Sequence, residues 1–396
     1  MSKFHRYSLD FKMIMIFFLF LMIIAISCDN NTNSNVIESD VVWTFMFYEA
    51  ADFSNAYEPW NDFVPRMRSG KNVNVLVLRD TKEDSARLWF IDEQHEPQLL
   101  KEMGEINMAS QAVLRNFIDS SKSWYPADHY ILAMYGHGYA WNGACSDETN
   151  LWDNVSTQEM QKAISNAGGV DMLMFTAPCM MASLENIVQL RNDVDIYIGS
   201  ENESGYIFWR EAIGDMNDLL NSDPDITPEE LSSELIDFIY DRALADTIDY
   251  RVNLTMSAMK TEYMENLLDL IDDLSENYRL NIDKFVIQAD SIYSDLITFN
   301  GGTLLDLKSF CSLMKIVEED SSFLSKMDSI LFYMDKSLIN ECHWENFGDL
   351  GGVHVYFTNP AGYYDINYNN MTSLDFIKNS HWDNLVYLYY LRSEYH

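Results

Sequence analysis

His129-Tyr-Ile-Leu-Ala-Met-Tyr135 and Val170-Asp-Met-Leu-Met-Phe175 are two short apolar runs, each bounded by polar, Gly or Pro residues. Runs of this length predict strands buried on both faces. Between them, Ser156-Thr-Gln-Glu159 has the spacing of a capping box, in which the serine and glutamate side chains each satisfy the other residue's backbone amide. It opens a helix carrying Met160, Ala163 and Ile164. Strand, helix, strand in this order is a crossover, which sets its two strands parallel. His137 stands just past the carboxyl end of the first strand, in Gly136-His137-Gly138. Cys179 stands just past the second, in Thr176-Ala177-Pro178-Cys179. Open parallel sheets bind their ligands at that edge.

An imidazole and a thiol delivered to one edge are what a cysteine nucleophile needs. The thiol attacks a carbonyl as thiolate, so it requires a neighbouring base. His137 can take that proton and return it to a leaving amine near neutral pH. The glycines beside His137 let backbone and substrate approach closely, and the Gly138 and Cys179 amides are the candidate oxyanion donors. The same residues also fit a blander reading, a buried cysteine and a Gly-His-Gly turn.

Working outward, Val41–Tyr48 and Val73–Leu78 predict two more buried strands by their β-branched and aromatic content. Arg87–Ile91 and Gln98–Leu100 predict a hairpin at the sheet margin. A helix is expected from about Ala109 to Ser121, with Val113, Phe117 and Ile118 on one face. Leu184, Ile187, Val188 and Leu190 mark a helix after Cys179, whose N-terminus would favour the thiolate. Ile196–Ile198 predicts the next strand. The alternation makes a mostly parallel α/β sheet with helices on both faces. Thr227-Pro228-Glu229-Glu230 opens a helix through about Leu244. Glu262 to Leu338 is mostly helical, interrupted near Asn300-Gly-Gly302, before a strand at Val353–Phe357 and a closing helix at Ser373–Leu391. His354 alternates with apolar residues and reads as structural.

Several of these segments together resemble the clostripain family of cysteine peptidases. Tyr125-Pro-Ala-Asp-His-Tyr130 followed by Gly136-His137-Gly138 is similar to its histidine segment. Gly104–Met108 is similar to the segment before it, and Phe175–Glu185 to the segment carrying the nucleophile. Gly199-Ser-Glu201, Gly205-Tyr206, Leu254–Ala258, Asp306-Leu307 and Gly351–Phe357 follow in the same order. The resemblance implies a caspase-like fold and a dyad of His137 and Cys179. It implies a caspase-like core over 41–210 and a helical part over 211–396 that contributes late strands to it. The family's acidic residue before the nucleophile is absent from Phe175-Thr-Ala-Pro-Cys179, so a strict Arg or Lys preference is not expected; Glu201 or Glu203 is the candidate substitute in substrate binding. The family's self-cleavage after a basic residue is not expected either, because Lys162, on the predicted helix, is the one basic residue between His137 and Cys179. The chemistry requires no cofactor; Ca²⁺ dependence is an expectation carried by the resemblance alone.

The N-terminus addresses the chain. Lys3, Arg6 and Lys12 precede the apolar run Met13–Ile26, which ends at Ala25-Ile26-Ser27-Cys28. Charged region, short apolar core and small residues before Cys predict a lipoprotein-type signal over 1–27, with Cys28 acylated. Residues 28–40, rich in Asn and Ser, predict a disordered tether. The expected location is therefore extracytoplasmic and membrane-anchored, in the periplasm or at the cell surface. The formal charge of −36, from 26 basic and 62 acidic residues, argues against a nucleic-acid partner and against contact with anionic lipid other than through the acyl chain. The acid excess reads as a solvated surface, with no dedicated metal array, and no CxxC or HExxH spacing marks zinc. Setting Cys28 and Cys179 aside leaves Cys145, Cys311 and Cys342, an odd remainder that argues against a disulfide framework. The expected partner is a peptide or protein substrate, met by a monomer. A second function from another class, a noncatalytic surface lipoprotein using the same fold to bind, fits the sequence too.

Overall fold

A computed structural model describes residues 41–54, 59–245, 249–358 and 364–393. The signal, the tether and Cys28 lie outside the described residues. Strands β1 (Trp43–Ala51), β2 (Val73–Thr81), β3 (Asp84–Ile91), β4 (Pro97–Gly104) and β5 (His129–Tyr135) come first in the chain. The hairpin β6 (Ala144–Asp147) and β7 (Asp153–Val155) follows, then β8 (Val170–Phe175), β9 (Val194–Gly199) and β10 (Thr255–Lys260). The last are β11 (Thr298–Phe299), β12 (Leu304–Asp306), β13 (Leu338–His343) and β14 (His354–Tyr356). Nine of them form one sheet in the order β13-β10-β9-β8-β5-β1-β2-β3-β4.

The five strands from β2 to β9 run parallel. Every residue of β1 is buried, as a central strand requires. Its alternate side chains enter two different apolar clusters: Trp43, Phe45 and Phe47 in one, Met46, Tyr48 and Ala50 in the other. The first is closed by helices Tyr206–Ser222 and Pro228–Ala245, the second by helices that include Gln111–Trp124, Thr157–Asn166 and Leu184–Leu190. Burial on both faces is why β5 and β8 read as unbroken apolar runs, and both occupy the predicted residues. The Ser156–Glu159 capping box forms as its spacing requires.

The C-terminal part adds strands as well as helices. β10 and β13 extend the main sheet antiparallel to β9, and β11, β12 and β14 form a small sheet of their own. The helix Tyr206–Ser222 runs across the boundary at residue 210. The closing helix is two, Asp375–Asn379 and Trp382–Ser393, because Ser380 between them is extended. The polar hairpin β6–β7 and the half-buried strand β13 carry no strong apolar signal and were not expected as strands. Cys145, Cys311 and Cys342 are buried and free, so the described cysteines form no disulfide. No helix among the described residues is long and apolar enough to cross a membrane.

Candidate active site

β1 and β5 are neighbours although β2 follows β1 on its other side, so the strand order reverses between them. The carboxyl ends of β5 and its neighbour β8 hold the two predicted residues. Met134 pairs with Phe175, and Thr176 N–H donates to Met134 O at 2.9 Å, which brings the outgoing loops side by side.

Gly138 is where these loops touch. A Cβ there would lie 2.6 Å from the Cys179 nitrogen and would collide with the Cys179 carbonyl oxygen. Only a residue without a side chain admits this approach. Gly138 also faces Ala144 in an antiparallel bridge closed by Cys145 N–H to His137 O (2.8 Å) and Tyr139 N–H to Gly143 O (2.9 Å). In this bridge the Gly138 amide is outside the ladder, and among the described residues neither it nor the Cys179 amide donates a hydrogen bond.

The His137 ring is exposed on one side and packs on Phe53 on the other, with centroids 4.4 Å apart. Desolvation pulls its pKa below the ordinary imidazole value. Cys179 is half-buried, and burial pushes its thiol up; the Ser204 amide, donating to Sγ at 3.3 Å, acts the other way, and Glu203 adds to the rise. The thiol itself is directed at Ala177 O (3.9 Å) and Ser204 O (3.8 Å). No hydrogen bond links Sγ to the imidazole among the described residues. Both shifts favour the uncharged forms, thiol and imidazole.

The loop after Cys179 is held from the C-terminal part. Met180 has φ +59°, a strained value for a residue with a side chain, and its carbonyl accepts from His354 Nε2 at 2.9 Å. His354 is buried, and desolvation lowers its pKa to about 4, so it is the neutral donor here. Its own amide donates to Ala182 O at 2.9 Å. Glu185, also buried, accepts from Ser183 Oγ (2.5 Å), the Tyr356 amide (2.8 Å) and Tyr368 Oη (2.9 Å). Asn186 donates to Ala140 O at 2.9 Å, tying this segment to the loop that carries His137.

Of the two candidate pocket acids, Glu201 is 1% exposed and sits by Asp306, where burial and that neighbour hold its carboxyl well above the usual range. Glu203 is exposed and within electrostatic reach of the thiol. A cavity of about 390 Å³ adjoins the site, lined by Tyr139, Met180, Asn300, Leu304 and Tyr356 among others. The helix Leu184–Leu190 begins five residues past Cys179, and the donor found on the sulfur is the Ser204 amide. Sequence reading missed a further group, Asp52, Asp80, Glu105 and Asp147, whose carboxylates converge from four separate segments.

The chain is also similar to known proteins. The family model described as the clostripain family matches residues 48–389. Clostripain of Hathewaya histolytica is 35% identical over 104 residues, covering 22% of this chain and 19% of that protein. The matched stretch thus spans less than a fifth of that relative's length. In shape the chain is similar to a secreted C11 cysteine protease from Bacteroides thetaiotaomicron solved with an irreversible peptide inhibitor. That likeness has a TM-score of 0.67 at 18% identity, over 86% of this chain and 99% of that one. An inactive zymogen C11 protease from Parabacteroides distasonis is similar at TM-score 0.63 and 19% identity, over 86% and 98% of the two chains. With the family match running from β1 into the last helix, the chain belongs to the clostripain family.

Proposed function

We propose that the chain is a cysteine endopeptidase in which Cys179 is the nucleophile and His137 the general acid/base. The observation that carries this reading is the contact of Gly138 with the Cys179 backbone, which joins the two loops at the carboxyl edge of the sheet. Since both groups rest neutral, the thiol passes its proton to the imidazole as sulfur attacks the carbonyl carbon. The Gly138 and Cys179 amides, free of other acceptors, receive the oxyanion. The imidazolium then protonates the leaving amine as the C–N bond breaks. In the second half, His137 takes a proton from water, hydroxide adds to the thioester, and the thiol leaves with that proton.

In this reading the cavity by Tyr139 and Met180 receives part of the peptide. With Glu201 buried, exposed Glu203 is the carboxylate left to favour a basic side chain, and the preference is not strictly Arg or Lys. The enzyme stays a single chain, because Lys162 lies within the helix Thr157–Asn166 and cleavage there requires unwinding it. It acts outside the cytoplasm as a monomer, tethered through acylated Cys28. A Cys28→Ser protein that is matured and remains in the membrane fraction would refute the tether.

An activity-based thiol probe and a panel of Arg, Lys and uncharged peptides test the site. Labelling should vanish in Cys179→Ala, and hydrolysis should fall roughly 10²–10⁴-fold in His137→Ala. Absence of labelling and hydrolysis under every condition would favour the binding module instead.

A further inference from the structure

Phe53 stands two residues past the carboxyl end of β1, beside the loop that carries His137. Its backbone is fixed there: Phe53 N–H donates to Ala51 O at 2.9 Å, and the preceding Asp52 O accepts from Glu148 N–H at 2.7 Å. Its side chain joins the apolar cluster that holds Phe47, Phe63 and Tyr135. The Phe53 ring lies 6.4 Å from that of Tyr135, nearly parallel to it at 20°. It lies 4.4 Å from the His137 imidazole, tilted at 46°.

The imidazole has little else to hold it. Among the described residues neither ring nitrogen of His137 makes a hydrogen bond or an ion pair, and the Tyr139 ring is 6.3 Å away. The terminal torsion of a histidine is broad and roughly two-fold when nothing fixes it. A catalytic triad fixes it with a third group that bonds the far nitrogen of the ring. No carboxylate takes that part among the described residues, so the orientation falls to packing.

We propose that Phe53 is a positioning residue for the reaction, its ring fixing the plane of the His137 imidazole by contact where a triad would use a hydrogen bond. The proposal rests on the reading of His137 as the general acid/base. The contact also does what a carboxylate would not. A carboxylate stabilises the imidazolium, whereas an apolar face keeps water from one side of the ring and disfavours the charge. The latter is the direction found for His137. The titratable side chains around the ring are Tyr139 on its own loop, Tyr135 through Phe53, and Cys179 on the adjoining loop. Among the described residues no Asp, Glu, Lys or Arg pairs with it. Phe53 thus keeps the imidazole both aimed and free to take the proton of the thiol.

The test uses the full chain and the peptide that the wild type hydrolyses fastest. Phe53→Leu keeps an apolar side chain without a flat face, so kcat should fall roughly tenfold or more while KM and melting temperature stay near wild type. Phe53→Ala also admits water, and the acid limb of its kcat/KM profile should move up toward about pH 6.5, the ordinary imidazole value. Phe53→Tyr, which restores a ring, should turn over faster than Phe53→Leu. NMR titration of the His137 ring, assigned by its loss in His137→Gln, should show the same upward move in Phe53→Ala. The proposal is overturned if Phe53→Leu and Phe53→Ala turn over like the wild type, or if their loss lies in KM with kcat kept. It is overturned as well if neither the acid limb nor the NMR titration moves in Phe53→Ala. A wild type that hydrolyses no peptide overturns the peptidase reading and this proposal together; one that hydrolyses peptide with Phe53 indifferent overturns this proposal alone.

Discussion

The loops that carry Cys179 and His137 meet at one point and are held in place by opposite means. Behind Cys179 the fastening is distant in sequence and made of buried hydrogen bonds: His354 on Met180, and Tyr356 and Tyr368 on Glu185. Behind His137 the bridge to Ala144 is local, and it leads through the hairpin β6–β7 to four converging carboxyl groups from separate segments. The Cys179 loop is thus braced by side chains from the end of the chain. The histidine's loop rests instead on acids that burial and neighbouring carboxylates push toward their protonated forms.

Three measurements would break or sharpen that contrast. Glu185→Ala should have the largest effect, since it strands three buried donors. At about 1–3 kcal/mol for each unsatisfied group, the loss should exceed about 3 kcal/mol in chemical denaturation, with Cys179 labelling impaired. A loss under about 1 kcal/mol would mean that this bracing is not what holds the loop. The second measurement concerns His354, whose folded pKa is about 4 against an ordinary 6.5. The unfolded chain binds a proton in that window and the folded chain does not. Stability from this residue is therefore complete above about pH 6.5 and is lost as pH falls toward 4, on the order of 3 kcal/mol in all. His354→Asn should flatten the wild-type decline over that range; parallel curves would contradict the buried neutral donor. The smallest effect is expected on the histidine side. Tyr139→Phe removes the 3.0 Å bond from Tyr139 Oη to Ser146 Oγ, in a partly exposed place, and should cost about 1 kcal/mol or less. A greater cost would show that the hairpin is as tightly bonded as the other loop.

The two loops differ in legibility as well. β5 and β8 are readable because burial on both faces forces continuous apolar runs, and Ser156 and Thr227 announce their helices by side-chain caps. His137 and Cys179 follow from being placed just past such strands. What fastens them is not readable in the same way. Glu185 looks like an ordinary helix acid until its partners 171 and 183 residues away are in place. The acid cluster has no motif, since its members come from four segments and the overall charge of −36 reads as a solvated surface. Glu201 and Glu203 are two residues apart and equally polar, but only the tertiary fold buries the first and exposes the second.

The clasp of Glu185 by Tyr368 has a consequence in time. Joining residues 183 positions apart requires closing a very long loop before any contact rewards it, so this shell is assembled late in folding. A chain whose last segments are still being synthesised lacks His354, Tyr356 and Tyr368 and has nothing to brace Met180 or Glu185. The thiol then meets neighbouring nascent protein before its surroundings are finished. On refolding from denaturant, probe labelling of Cys179 should lag behind the return of the far-ultraviolet signal, and the lag measures how long the thiol waits for the end of the chain.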